Sequence, residues 1–393
     1  MEDASVQGAT PEGWAQVIKR MSKLNGLSIT PSETKAVITA LSRTHGLAPE
    51  EARPVMYLTE HRMVNETNIP NETIRQACAA CHALTLGRAE TLTDAGAPTA
   101  PKKSAAKYAT VWTDEGSPLL AIGKRQVKVL SEAFKARRWD VRVDLAMRYG
   151  NPSVASRMDQ LRKDGYDRVL VFPLYPQYAA ATTASVFDAV FDWAKPVRNI
   201  PELRLVKHYH DHPAYIHALA ESVRKHWQVN GRPNFDQGDV LLFSFHGVPE
   251  MTLLKGDPYH CECYKTARLL GEELGLQKGN YRVTFQSRFG KAKWLEPYTD
   301  KTLEALGQAG TKRIDVMCPG FMADCLETLE EINQEGREDF QHAGGGEFHY
   351  IACLNDSELA AAMLSEITAQ HMQGWPVDMG YEESMAQELA ESR

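Results

Sequence analysis

"LLFSFHGVPE", residues 241–250, decides the architecture. Leu241 to Phe245 is a short, nearly unbroken apolar run, the pattern of a strand buried on both faces, as in parallel sheets. It ends on an imidazole, His246, and Gly247 and Pro249 prevent it from continuing. Similar runs recur: "DVRVDLA" (140–146), "DRVLVFPL" (167–174), "LRLVKHY" (203–209), "DVLLFSF" (239–245), "YRVTFQ" (281–286), "KRIDVMC" (312–318) and "FHYIACL" (348–354). Amphipathic segments at 153–164, 213–227, 261–274 and 324–335 read as helices between them. Strands alternating with helices imply βαβ units. The expected fold is α/β, two doubly wound Rossmann-like parallel-sheet domains, preceded by a small all-α segment.

In open parallel sheets, ligands bind beyond the carboxyl ends of the strands. His246 lies at such an end, Arg148 and Tyr149 follow the run at 140–146, and Tyr175 and Tyr178 follow the run at 167–174. After 312–318 the chain passes through Pro-Gly into a helix bearing Glu327, Glu331 and Glu335. On an α-helix these three share one face, at a cost of a few tenths of a kcal/mol per like-charged pair. Such a stripe is either a solvated surface or a path carrying divalent cations one way and protons the other. Imidazole and carboxylate together suit ferrous iron.

The remaining features bound the function. The 393-residue chain is 43% hydrophobic and 24% charged with a net charge of −7, and has no basic block to suggest nucleic acid. The first twenty residues lack an export signal, and no stretch is apolar enough to span a bilayer. Seven cysteines are too sparse for a disulfide scaffold, so a cytoplasmic location with reduced thiols is expected. Residues 1–92 read as helical; "TPSETKAVITALSRTHG" (30–46) opens Thr-Pro, with Pro31 in its first turn and Glu33 close behind, and closes at Gly46. "TDAGAPTAPKKSAAK" (93–107) reads as a linker. Residues 108–200 and 201–375 are the expected α/β domains, and 376–393 an acidic tail. "ACAACHAL" (77–84) holds Cys78, Cys81 and His82 at the spacing that attaches haem c.

Several ordered motifs resemble ferrochelatases of the proteobacterial type: "PKKSAAKYATVWTDEGSPLL" (101–120), "VFPLYPQYAAATTAS" (171–185), "FSFHGVPE…KGDPYHCECYKTARLL" (243–270), "TFQSRFGKAKWLEPYTDKTLEAL" (284–306) and "IDVMCPGFMADCLETLEEI" (314–332). The resemblance covers about 101–375. It implies insertion of Fe²⁺ into protoporphyrin IX in preference to coproporphyrin III, with release of two protons, in haem biosynthesis. Carried over, His246 is the catalytic histidine, Glu327 the essential glutamate, and Glu331 and Glu335 the acidic ladder behind it, all four facing the metal. Ser117, Arg148, Tyr149 and Tyr178 line the porphyrin side, with Tyr209 aligned more loosely. Porphyrin and ferrous iron are the implied partners, with no dissociable organic cofactor. Some family members hold an iron–sulfur cluster, but Cys261, Cys263, Cys318, Cys325 and Cys353 make no recognised four-cysteine pattern, so none is expected. Some associate peripherally with membranes, which the acidic tail does not favour. Oligomeric state stays open.

Residues 10–90 resemble part of the cytochrome region of the quinohaemoprotein amine dehydrogenase large subunit. Without an export signal, and without a methionine between His82 and Met147 to serve as axial ligand, no covalent haem c is expected. The resemblance to ferrochelatase begins after the strand that opens that family, so the first α/β domain is expected to lack its N-terminal strand. Two alternatives remain: a c-type haem electron-transfer fragment, and a porphyrin-binding protein inactivated by loss of that strand.

Overall fold

The computed structural model describes residues 30–34, 36–37, 100–288 and 292–379. The chain divides into two units, and the described residues up to 101 belong to one while 102–379 belong to the other. In the first, residues 31–34 and 36–37 are helical, and Pro31 occupies the first turn as expected. Thr30 and Glu33 cap it reciprocally: the Thr30 N–H donates to Glu33 Oε2 at 2.8 Å and the Glu33 N–H to Thr30 Oγ1 at 3.3 Å. Cys78, Cys81 and His82, and the tail from 380, lie outside the described residues.

The second unit runs α1 (Ala100–Val111), α2 (Pro118–Ala136), α3 (Val154–Lys163), β1 (Arg168–Val171), α4 (Ser185–Ala194), β2 (Glu202–Leu205), α5 (Pro213–Asn230), β3 (Val240–His246), α6 (Glu250–Leu254), α7 (Tyr259–Glu273), β4 (Tyr281–Gln286), α8 (Thr299–Gln308), β5 (Arg313–Met317), α9 (Leu326–Leu329), α10 (Arg337–His342), β6 (Glu347–Ile351) and α11 (Glu358–His371). The strands form two parallel sheets, β1-β2 and β4-β3-β5-β6. The second sheet is covered on both faces. Leu241, Phe243 and Phe245 pack with α5, α7 and α11, whereas Val240 and Leu242 join Ile314 and Val316 against Leu303 and Leu306 of α8 and Phe340 of α10. This two-sided burial explains why β3 has no polar alternation. Each such side chain removed from water contributes about 1.5–3 kcal/mol.

Three expectations need correction. The run at 140–146 forms no ladder. Its flanks are tied elsewhere: the Asp140 N–H donates to the Val377 carbonyl at 2.7 Å and the Met147 N–H to the Pro152 carbonyl at 2.7 Å. Arg142 is held by Asp144 at 2.9 Å and Asp164 at 2.5 Å. Leu145 closes over Gly123 of α2, where an added Cβ would sit 3.3 Å from its methyls. Among the described residues β1 is paired along one edge alone, and both strands of its sheet are only partly buried. The domain boundary at 200–201 falls one strand early, because β2 pairs with β1. Residues 100–107, read as linker, are the first two turns of α1; their Ala and Lys content favours helix once the chain has a surface to lie on.

Candidate active site

Strand order places the site. β3 connects through α7 to β4 on one side of it, and β4 then connects through α8 to β5 on the other side, so the helices switch faces between β3 and β5. A crevice at that switch, beyond the carboxyl ends, is where open α/β sheets bind ligands. His246 is the last residue of β3, and the loop from Cys318 to Cys325, which leaves β5, delivers Glu327 to it on α9.

The sequence of β3 makes the presentation rigid. An added Cβ on Gly247 would lie 2.7 Å from the Gln286 carbonyl, so glycine is required for the tip of β3 to lie against β4. The Gly247 N–H donates to that same carbonyl at 2.7 Å. His246 Nδ1–H donates to its own neighbour, the Gly247 carbonyl, at 2.6 Å, which turns Nε2 toward Glu327. Nε2 stands 3.7 Å from Glu327 Oε1; the ring is 30% exposed and the carboxylate 10%. Burial alone would lower the imidazole pKa, but Glu327 outweighs it, aided by the Gly247 carbonyl and Glu331, and carries His246 to about 9. The resting pair is therefore an imidazolium beside a carboxylate.

Glu331 lies behind Glu327. Burial raises its pKa and the Glu327 charge adds to this, while Ser287 opposes both. Ser287 donates its N–H to Oε1 at 2.7 Å and its hydroxyl to Oε2 at 2.5 Å. To do so its backbone takes φ 61°, the left-handed region that a serine enters only under constraint.

Glu335 goes elsewhere. The expected single α-helical face is interrupted by a π turn over Glu331–Gly336, and the Glu335 N–H reaches back five residues to the Glu330 carbonyl at 2.9 Å. The wider turn rotates successive side chains away from the four-residue repeat. Glu335 and Glu330 share Lys107 of α1, at 2.5 and 3.0 Å. His246, Glu327 and Glu331 thus converge, and Glu335 lies with a second acid and a lysine at the outer end.

On the other sheet, Arg148 and Tyr149 converge on one hydroxyl. Arg148 Nε–H donates to the Ser185 carbonyl at 2.7 Å and to Oγ at 2.8 Å, and Tyr149 Oη lies 3.1 Å from the same Oγ. Tyr178 is half-buried with the Lys207 ammonium 4.9 Å from its ring centre. Ser117 is buried as the N-cap of α2, accepting the Leu120 N–H at 3.4 Å. Tyr209 is buried in the core beside Tyr215 and Phe172.

The sequence reading missed the groups that hold this site in place. Gln286, buried at the tip of β4, donates to the Glu327 carbonyl at 2.7 Å and accepts from Ser244 at 2.7 Å. Asp324 accepts from Tyr350 at 2.5 Å, Asn355 at 2.6 Å and Thr328 at 3.0 Å, fixing the loop ahead of α9. A polar residue closing an apolar strand was the available signal for Gln286; nothing local marked Asp324.

Comparison with known proteins places the chain in a family. The ferrochelatase family model matches residues 85–372. Curated ferrochelatases from Polaromonas sp. (strain JS666) and Methylibium petroleiphilum (strain PM1) are each 60% identical over 276 residues, 70% of this chain and 74% and 75% of theirs. Among solved structures, Bacillus subtilis SirB with Fe³⁺ superposes with a TM-score of 0.48 at 13% identity, covering 65% of this chain and 92% of that one. Deinococcus radiodurans DR2241, described as similar to chelatases, gives 0.42 at 15%, covering 67% and 55%. Residues 1–90 match a different family, the haem-binding region of the quinohemoprotein amine dehydrogenase alpha subunit.

The chain is thus an enzyme, a metal chelatase acting on porphyrin. The chain belongs to the ferrochelatase family, the lyases of haem biosynthesis that take porphyrin and iron as substrates.

Proposed function

We propose that this chain inserts Fe²⁺ into protoporphyrin IX, releasing two protons to form protohaem. The observation that carries the reading is the His246–Glu327 pair, 3.7 Å apart at the switch point with Glu331 behind it. Metallation must remove two pyrrole protons and bring a cation to the ring centre. A protonated His246 cannot accept a proton, so the resting pair needs a trigger. A divalent cation arriving at Glu327 supplies one, because it neutralises the charge that holds His246 near 9. The imidazole then releases its proton through Glu331 and is free to act as base toward the porphyrin. Glu335, with Glu330 and Lys107, forms the outer end of the route. Arg148, Tyr149 and Tyr178 line the porphyrin, and Ser117, as the cap of α2, positions the wall behind it. The division into a helical fragment, a first α/β domain and a second is retained with the sheet boundary moved past β2, and a cytoplasmic location is retained. Among the described residues no helix is long and apolar enough to cross a membrane.

A second reading, porphyrin held without turnover, is favoured by the run at 140–146 standing outside the ladder. An anaerobic assay of the full chain with Fe²⁺ and either protoporphyrin IX or coproporphyrin III, followed by porphyrin absorption, separates the two. Metallation of protoporphyrin, lost in His246→Ala, is expected. Tight binding with no spectral conversion would replace the first reading by the second.

A further inference from the structure

Outside the catalytic pair, three chemistry-bearing side chains converge where the chain leaves β2. His208, His210 and Glu262 each offer a ligand atom, and these atoms lie within 4.8 Å of one another. His208 and His210 are two residues apart in an extended segment with their rings edge to face at 5.0 Å; Glu262 sits in the first turn of α7. His208 Nδ1–H donates to Glu262 Oε1 at 2.6 Å, and His210 Nδ1 stands 3.3 Å from Glu262 Oε2.

His210 is 5% exposed, and its Nδ1, although near that carboxylate, has no partner in hydrogen-bond geometry. A buried ring nitrogen without a partner calls for an explanation. A cation supplies one. Two ligand atoms about 2.0–2.1 Å from a tetrahedral ion stand roughly 3.4 Å apart. The His210–Glu262 separation of 3.3 Å already matches that spacing. The His208 contact of 2.6 Å has to open by less than about 1 Å to reach it, which a ring 40% exposed can do. Asp211 Oδ2, which accepts from Lys265 at 2.5 Å, lies 3.8 Å from His210 Nε2.

We infer that His208, His210 and Glu262 form a second divalent-cation site, distinct from the His246–Glu327 pair, that takes a borderline first-row ion such as Zn²⁺ or Co²⁺. Two imidazoles and one carboxylate select that class over Mg²⁺ or Ca²⁺, which prefer oxygen. The site ties together three segments. Glu262 Oε2 also accepts the Tyr178 N–H at 2.7 Å, so an ion there fixes the loop after β1 to α7 and to the segment after β2.

The test uses the full chain carrying His246→Ala, Cys78→Ser and Cys81→Ser, so that neither the catalytic pair nor the C-x-x-C-H motif competes. Titrated with Zn²⁺ alone, that protein is expected to bind one equivalent and to melt at a higher temperature when loaded. Adding His208→Gln, at an exposed position, or Glu262→Gln, which still accepts the Tyr178 N–H, is expected to weaken that binding by at least roughly tenfold. Failure of the background protein to bind Zn²⁺ would overturn the inference. So would unchanged affinity in His208→Gln, which decides the matter if Glu262→Gln fails to fold.

Discussion

Replacing Glu327 with Gln tests whether one carboxylate sets the charge of the His246 imidazole. In the wild type His246 is carried from 6.5 to about 9, against the lowering effect of its own burial. That interval, roughly 2.5 units, corresponds to about 3 kcal/mol of coupling, which solvent at a partly exposed ring trims toward about 2 kcal/mol. With glutamine the lowering by burial remains and the main opposing charge is gone, so His246 should titrate at or below 6.5. The sign for stability follows: a histidine raised in the folded state stabilises fully below its unfolded value and loses that contribution as pH rises through its folded value. The wild type's advantage over Glu327→Gln should therefore be greatest below 6.5 and fade above 9, leaving a pH-independent remainder from packing. Proton NMR of histidine Cε1–H resonances, with His246 assigned by its loss in His246→Ala, reads the titration; urea unfolding at the two ends of the range reads the linkage. A His246 resonance that titrates near 6.5 in the wild type and does not move in Glu327→Gln would refute the coupling.

Three further substitutions probe the scaffold, two beside the pair and one near the other end of β3. Gly247→Ala places a Cβ 2.7 Å from the Gln286 carbonyl, so it should cost about 1–3 kcal/mol and lower the urea midpoint; an unchanged midpoint would show that the β3–β4 tips have room to part. Ser287→Ala removes one of the two donors that hold down the Glu331 pKa, so the acid limb of the metallation profile should move to higher pH, and a profile superposable on the wild type would exclude Glu331 from the route. Trp227→Phe removes a 2.7 Å donor from Asp315 Oδ2; Arg313 still serves that oxygen at 3.2 Å, so the loss should lie near the lower end of about 1–3 kcal/mol, measured by chemical unfolding.

The second sheet was legible because its signals are local and redundant. β3 to β6 are apolar runs bounded by breakers, and each overlaps the run that marks it, β6 ending three residues before the end of its run. Parallel strands buried on both faces leave little choice of period or register. His246 could be found by the same logic, as the polar residue that ends such a strand. The three glutamates were legible as neighbours only under the assumption of a regular α-helix. The π turn that sends Glu335 to Lys107 depends on packing of α1 against the segment, a contact between residues more than two hundred positions apart that no periodicity encodes. Gln286 and Asp324 belong to the same category. Their roles lie in bonds across strands and loops, and their residue types alone are ordinary.

The run at 140–146 shows why a strand pattern is necessary but not sufficient. "DVRVDLA" alternates polar and apolar residues as a half-buried strand should, yet a strand exists only when a neighbour supplies ladder partners. Here the Asp140 N–H bonds to the Val377 carbonyl and the Arg142 side chain to Asp164, both outside any sheet. The open edge of β1 and the partial burial of β1 and β2 follow from the same shortage of partners. The second sheet, by contrast, holds the His246–Glu327 pair and its hydrogen-bonded supports, and from β1 only the partly buried Leu170 packs against its core. The two halves should therefore separate in their response to denaturant. Amide exchange in 168–171 and 202–205 is expected to proceed by local opening, while 240–246 and 313–317 exchange only through global unfolding. Equal protection of all four strands would mean that the first sheet draws support from segments other than its own ladder.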